Sequence, residues 1–280
     1  MITVPADFAV SLGPEALAWR ATLPALAARF CARWNLTPDG DVLHGFVALV
    51  LPVRAADGMP AVLKLTFLDE ETRDEPRALR AWDGDGAVRL YDHDDEHGAL
   101  LLERLDPARS LEDEPIDAAV AVIGGLMGRL RVPGTGFRRY APTPRPDPVL
   151  PADLVAHAHE LGAALAAAAG DTLVNEDLHY GNVLRGGREP WLVIDPKPLS
   201  GDPEYGVVPL LWNRFDEYDG PLALRERLAA VVDTAGLDPD RARGWAFHRA
   251  VVNHTWALEH GEEPFAARCA AIARALRPRD

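Results

Sequence analysis

Asp177, Asn182 and Asp195 are the residues whose types and spacing could do chemistry. The first two lie in Asn175-Glu176-Asp177-Leu178-His179-Tyr180-Gly181-Asn182. The third comes thirteen residues after Asn182, at the end of the apolar run Trp191-Leu192-Val193-Ile194. An acid, an amide five residues on and a second acid make a phosphoryl-transfer pattern. The Asp177 carboxylate would take the proton of an attacking hydroxyl. Asn182 and Asp195 offer oxygen atoms to Mg²⁺, a hard cation that could hold the phosphates of ATP. Asp and Asn are common in turns for purely local reasons. A buried strand that delivers the second carboxylate at its exposed end puts chemistry ahead of turn geometry.

Two further features fit the same chemistry. Lys64 lies inside the apolar run Ala61-Val62-Leu63-Lys64-Leu65, where an ammonium needs a partner or a way out to water. Glu75, eleven residues on, is the candidate partner, and such a pair orients the α- and β-phosphates in kinases. Alone, Lys64 reads as an edge-strand lysine; upstream of Asp177, Asn182 and Asp195, it reads as half of the pair. The run Gly98 to Leu105 predicts a strand that could offer adenine backbone hydrogen bonds near Glu103 and Leu105, although a core strand would look the same. The phosphate-covering loop is the weakest part. His44-Gly45-Phe46 has a single glycine, and no Walker-A motif exists in the chain.

Other chemistry-bearing residues read as structural. His157 and His159 would face different sides of a helix. Asp92-His93-Asp94-Asp95-Glu96-His97 lacks the spacing and glycine of a calcium loop, so a solvated turn is expected. Trp212, Trp245 and Trp256 have no basic groove beside them and read as core or pocket wall. Cys31 and Cys269 imply neither a zinc site nor a disulfide framework. A net charge of −14 repels nucleic acid and anionic membranes and would attract a cationic small molecule. No apolar run approaches membrane-spanning length, and Met1 to Ala9 shows no leader pattern. A cytoplasmic monomer is expected.

These groups need elements to hold them, and 280 residues suffice for two lobes. Residues 1–105 predict a leading helix over Glu15 to Trp34, interrupted or kinked at Pro24, and then a strand-rich lobe. Its strands are Val42 to Val53, Pro60 to Phe67, Val88 to Tyr91 and Ala99 to Leu105. The first two are joined by a turn at Ala55-Ala56-Asp57-Gly58, the last two by a turn over Asp92 to Glu96, and a helix over Asp69 to Trp82 crosses the sheet. Residues 106–280 predict a helical lobe that carries the catalytic loop and acceptor site. Its helices are Ile116 to Leu130, Ala152 to Ala169, Pro221 to Ala235, Asp238 to Glu259 and Pro264 to Leu276. Arg131 to Pro151 reads as a long loop. Short strands are expected at Val183 to Arg185 and Trp191 to Asp195. The class is α+β.

The run Leu173 to Leu184, with Trp191 to Pro203, resembles the aminoglycoside phosphotransferases, above all their streptomycin 6-phosphotransferase and hydroxyurea-resistance kinase branch. Leu79 to Leu90 and Leu100 to Leu105 resemble that branch too. The resemblance implies a protein-kinase-like bilobal fold and transfer of the ATP γ-phosphate to a drug hydroxyl. Asp177 would be the base, Asn182 and Asp195 the Mg²⁺ ligands, and Lys64 with Glu75 the phosphate-orienting pair. Many relatives carry His where Asn175 stands and a small or basic residue where Glu176 stands. A cationic guanidino-sugar such as streptomycin would favour an acidic pocket, for which Asp202, Glu204, Asp216, Glu217, Glu259, Glu262 and Glu263 are candidates. Two other readings remain open: a kinase for hydroxyurea or an endogenous metabolite, and a nucleotide-binding relic without turnover.

Overall fold

A computed structural model describes residues 2–6, 8 and 13–278 of the chain, so the stretch Met1 to Ala9 lies partly outside the described residues. The chain divides into two compact units. One comprises Met1–Asp106 with Gly186–Pro190, the other Pro107–Arg185 with Trp191–Asp280.

The first unit opens with α1 (Pro14–Arg33), which carries Glu15 in its first turn and Arg33 in its last, each charge placed to suit the helix dipole. Pro24 sits inside α1 without ending it. Six strands follow: β1 (Thr37–Pro38), β2 (Leu43–His44), β3 (Ala48–Arg54), β4 (Pro60–Thr66), β5 (Leu90–Asp94) and β6 (Ala99–Glu103). They form an antiparallel sheet in the order β1-β3-β4-β6-β5, with β2 also paired to β3. The continuous strand expected over Val42 to Val53 is broken, because the chain turns back at Gly45, whose N–H meets the Ala48 carbonyl at 2.9 Å. β5 also runs later than expected, through Asp94. α2 (Glu75–Trp82) starts six residues after its predicted beginning. The Asp69 carboxylate accepts the N–H groups of Glu71 and Thr72, and the Thr72 hydroxyl reaches back to the Phe67 carbonyl. Those local bonds hold residues 69–72 in a turn that competes with helix.

Strand alternation sorts the sheet into two faces. Leu49, Leu51, Val53, Ala61, Leu63, Leu65, Ala99 and Leu101 pack with Leu23, Ala27 and Phe30 of α1 in one buried cluster. Each large apolar side chain buried this way contributes about 1.5–3 kcal/mol. Lys64 points to the opposite face.

The chain enters the second unit along β7 (Asp106–Ser110), and α3 (Ile116–Arg129) and α4 (Ala152–Ala167) follow. It continues with β8 (Thr172–Asn175), β9 (Val183–Arg185), β10 (Trp191–Val193) and β11 (Pro198–Gly201), and closes with α5 (Pro209–Trp212), α6 (Gly220–Ala235), α7 (Pro239–Glu259) and α8 (Glu263–Leu276). β7, β9 and β10 form one small sheet, and β8 pairs with β11 in a two-stranded ribbon. The predicted long loop after α3 is partly a third member of that ribbon. Pro133 bridges Thr172, and Arg139 bridges Ser200.

α7 is buried on nearly all sides, with Trp245, Phe247, Ala250 and Val251 in the core. Its His248 donates Nδ1–H to the Ala158 carbonyl at 2.8 Å, which leaves Nε2 to accept from the Tyr140 hydroxyl at 2.7 Å. Burial lowers the His248 pKa to about 4, so the ring is neutral at ordinary pH. Gly162 of α4 lies flat against this ring, where a Cβ would collide with it.

Asp147 fastens the end of the same loop to α7. One carboxylate oxygen accepts from the N–H groups of Val149 and Leu150 at 2.9 and 2.8 Å. The other takes His254 Nδ1 at 2.6 Å and the Thr255 hydroxyl at 2.8 Å. Burial opposes ionisation, but these bonds outweigh it and lower the Asp147 pKa to about 2. A depressed folded-state pKa gives stability that is complete above the unfolded value of about 3.9 and is lost as pH falls toward about 2. Asp147→Ala is expected to cost about 2 kcal/mol at neutral pH in urea unfolding, because buried donors lose their acceptor. The variant should also show a flatter loss of stability between about pH 4 and 2 than the parent. Equal stability at neutral pH would refute the clamp.

Candidate active site

In the first unit Lys64 faces α2. Its Nζ donates to both carboxylate oxygens of Glu75, at 2.6 and 2.7 Å. The side chains are 6% and 2% exposed. Glu75 occupies the first position of α2, where a negative charge also suits the helix dipole. Glu103 ends β6. Its N–H is spent on the Arg89 carbonyl at 2.9 Å, and its carboxylate binds Arg188 and the Arg89 N–H. Leu105 follows in irregular chain, half-buried.

The second unit holds the acid–amide–acid set. β9 and β10 pair so that Val183 faces Val193, and the Ile194 N–H continues the ladder to the Asn182 carbonyl at 2.9 Å. Asn182 and Asp195 therefore emerge from neighbouring chain ends. Asp195 adopts φ +51°, the left-handed region that non-glycine residues rarely visit. Backbone strain of this kind clusters where side chains are held for function. Asn182 donates its side-chain N–H to the Asp177 carbonyl at 3.1 Å. That bond fixes the amide and leaves Oδ1 as the atom for a cation. With the Asp195 carboxylate it supplies the all-oxygen donor chemistry that Mg²⁺ takes.

Asp177 is fixed from behind. The buried Asn175 Oδ1 accepts both the Asp177 N–H at 3.0 Å and the Lys197 N–H at 3.1 Å. Glu176 N–H bonds the Lys197 carbonyl at 3.0 Å. The Glu176 side chain is buried and ion-paired with Arg138. Arg249 of α7 donates to the backbone carbonyls of Glu176 and Tyr205 at 3.1 and 2.7 Å. Further along, Tyr180 N–H meets Asn213 Oδ1 at 3.2 Å, and the Asn213 amide binds Glu112 at 2.7 Å. Lys197 Nζ lies 3.4 Å from Asp177 Oδ2. Sequence reasoning singled out neither this lysine nor the bridging role of Asn175. Only the ribbon pairing, Pro198 opposite Asn175, brings residue 197 beside residue 177.

The seven acids expected to line an acceptor pocket divide into two kinds. Asp202 and Glu204 are buried and internally committed. Asp202 binds Arg241, the Trp245 indole N–H and the Gly170 N–H, whereas Glu204 accepts the Asp238 N–H at 3.0 Å. Their side chains hold the fold together and do not face solvent. Asp216, Glu217 and Glu259 pair with Arg268, Arg214 and Arg145 at exposed positions, and Glu262 and Glu263 are exposed. In the expected solvated turn, Asp94 binds Arg33 and His97. Asp94, Glu96 and His97 are close enough to share an ion, but exposed acidic groups commonly gather without one. Among the described residues no helix is long and apolar enough to cross a membrane.

Solved structures define the class. An aminoglycoside phosphotransferase, APH(4)-Ia, in complex with ADP and hygromycin B matches with a TM-score of 0.60 at 17% identity, over 91% of this chain and 100% of that one. Choline kinase LicA of Streptococcus pneumoniae matches with a TM-score of 0.60 at 14% identity, over 91% and 99%. The fold is thus the protein-kinase-like fold of small-molecule kinases. The chain belongs to the aminoglycoside/hydroxyurea antibiotic resistance kinases, whose family pattern matches residues 33–261. It is 41% identical to a streptomycin 6-kinase of Streptomyces glaucescens, over 97% of this chain and 95% of the relative. It is 45% identical to a hydroxyurea phosphotransferase of Kitasatospora aureofaciens, over 91% and 78%. It is accordingly an ATP-using phosphotransferase.

The buried Lys64–Glu75 pair carries a stability consequence. Glu75→Ala strands a buried ammonium and should cost about 3–5 kcal/mol, whereas the double change Lys64→Met with Glu75→Leu should be close to neutral. Urea unfolding of both variants checks this. A single variant as stable as the parent would contradict the pairing.

Proposed function

We propose that this enzyme moves the γ-phosphoryl group of ATP to a hydroxyl of a cationic aminocyclitol of the streptomycin type, with Asp177 as the base. The observation that carries the reading is the joining of Asp177, Asn182 and the left-handed Asp195 through the β9–β10 ladder and the Asn182 amide. In the first unit Lys64, held by Glu75, would orient the nucleotide's phosphates. In the second unit the Asp177 carboxylate would accept the hydroxyl proton as oxygen attacks phosphorus. Asn182 and Asp195 would hold Mg²⁺, which when bound neutralises charge on the phosphates. A reaction that draws on ATP would run in the cytoplasm, where that nucleotide pool lies.

Similarity to a streptomycin 6-kinase over nearly the full length of both chains supports the acceptor class. The net charge of −14 suits a cationic drug, which would meet the exposed acids Glu262 and Glu263 directly and compete with Arg268, Arg214 and Arg145 for Asp216, Glu217 and Glu259. The 45% identity to a hydroxyurea phosphotransferase favours a second reading, the same chemistry on hydroxyurea.

Incubation with Mg·ATP and a panel of streptomycin, hydroxyurea and deoxystreptamine drugs separates these readings. Phosphorylated streptomycin, identified by mass spectrometry, is the expected product. Turnover of hydroxyurea alone would reassign the acceptor, and nucleotide binding without any product would overturn the kinase reading. Asp177→Ala should lower kcat about 10²–10⁴-fold with ATP binding retained. An unchanged rate would remove Asp177 from the chemistry.

A further inference from the structure

We propose that Lys197 is a further catalytic residue, whose ammonium presents positive charge to the phosphoryl group in transfer. This rests on the reading of Asp177 as the base.

The first observation is mounting. Lys197 lies between Pro196 and Pro198, and each ring restricts the backbone around it. Its N–H is held by Asn175 Oδ1 and its carbonyl by the Glu176 N–H. β11 begins at the next residue, opposite Asn175. The backbone of Lys197 is thus fixed to the two residues that precede Asp177. The ammonium stands beside that carboxylate because the main chain puts it there.

The second observation is exposure. Lys197 and Asp177 are each 31% exposed at 3.4 Å separation. An ion pair this open to water adds little to the stability of a fold. Stability therefore gives little reason to mount it so rigidly. Contrast Lys64–Glu75, which is sealed and holds sheet to helix.

An attacking hydroxyl must lie about 2.6–3.2 Å from the Asp177 carboxylate to give up its proton, and its oxygen approaches phosphorus to about 3–3.5 Å. The flexible stem of Lys197 then lets its ammonium reach the phosphoryl oxygens. In the step itself the acceptor oxygen–phosphorus bond forms, and the bond from the γ-phosphorus to its bridging oxygen breaks. The electron pair leaves with ADP, and the hydroxyl proton passes to Asp177. In the step the field of the ammonium acts on the phosphoryl oxygens, where negative charge is spread in the transition state.

Steady-state kinetics with Mg·ATP and the active acceptor test this in Lys197→Met, Lys197→Arg, Asp177→Asn and the double variant Lys197→Met with Asp177→Asn. Lys197→Met should lose about 10²-fold in kcat, with acceptor KM, Mg·ATP affinity and melting temperature near those of the parent. Lys197→Arg, which keeps the charge, should recover part of the loss. In the Asp177→Asn background, Lys197→Met should still lower the residual rate, because the ammonium acts on phosphate and not through the carboxylate. A Lys197→Met rate like that of the parent would overturn the proposal. So would the absence of any further loss in the Asp177→Asn background, which would make Lys197 a positioning group only. A parent enzyme that phosphorylates no acceptor would overturn the kinase reading and the lysine's role with it. A normal parent rate with an unaffected variant overturns the lysine's role alone.

Discussion

One side-chain oxygen ties two distant segments of the second unit together. Asn175 Oδ1 accepts two backbone N–H groups at once, those of Asp177 and Lys197. An amide oxygen has two lone pairs, and both are used. Two N–H donors also settle which atom of the amide faces them. Through this single acceptor the loop that carries Asp177 is tied to the segment that joins Asp195 to β11. Without it β8 and β11 could still pair and the Glu176 N–H could still reach the Lys197 carbonyl, but the N–H groups of Asp177 and Lys197 would lose the acceptor they share. The Asn175 amide nitrogen is buried and has no partner among the described residues. A buried unsatisfied donor costs about 1–3 kcal/mol, and its retention fits a residue kept for what its oxygen does.

Two lysine–carboxylate pairs illustrate how environment decides the use of the same chemistry. Lys64 and Glu75 are buried, bonded through both oxygens and set between a strand and a helix start. Removing either partner leaves a charge in a poor solvent, so the pair is costly to break. Lys197 and Asp177 meet once, at a longer distance and partly in water. A pair that open to water is cheap to break. Behind it, Arg249 binds the Glu176 carbonyl and Arg138 the Glu176 carboxylate, so the carbon chain leading to Asp177 is braced while its carboxylate stays accessible.

Much of this was legible in residue order because period and composition speak directly. Alternation in Pro60 to Thr66 gives β4, and α3, α4, α6, α7 and α8 follow from apolar spacing with caps such as Asp238. The acid–amide–acid spacing pointed to the chemistry, and the resemblance carried by Leu173 to Leu184 pointed to the family and the kinase-like fold. What was missed depends on contacts between distant segments. β8 and β11 are too short to show a period, and they exist because they pair with each other. The Pro- and Gly-rich run after α3 looks like free loop in sequence, yet Pro133 and Arg139 find bridge partners 39 and 61 residues away. In residue order Asp202 reads as an acceptor-pocket acid, because no pattern there reveals that Arg241 and Trp245 of α7 enclose it. Lys197 went unnoticed for the same reason.

The most direct measurement is backbone hydrogen exchange, followed residue by residue in the parent and in Asn175→Ala. If the asparagine oxygen is the common anchor, the amides of Asp177 and Lys197 lose protection together, while those of β4 in the other unit stay as slow as before. Protection at both positions equal to that of the parent would contradict the account, because the two segments would then be held in register by something other than Asn175.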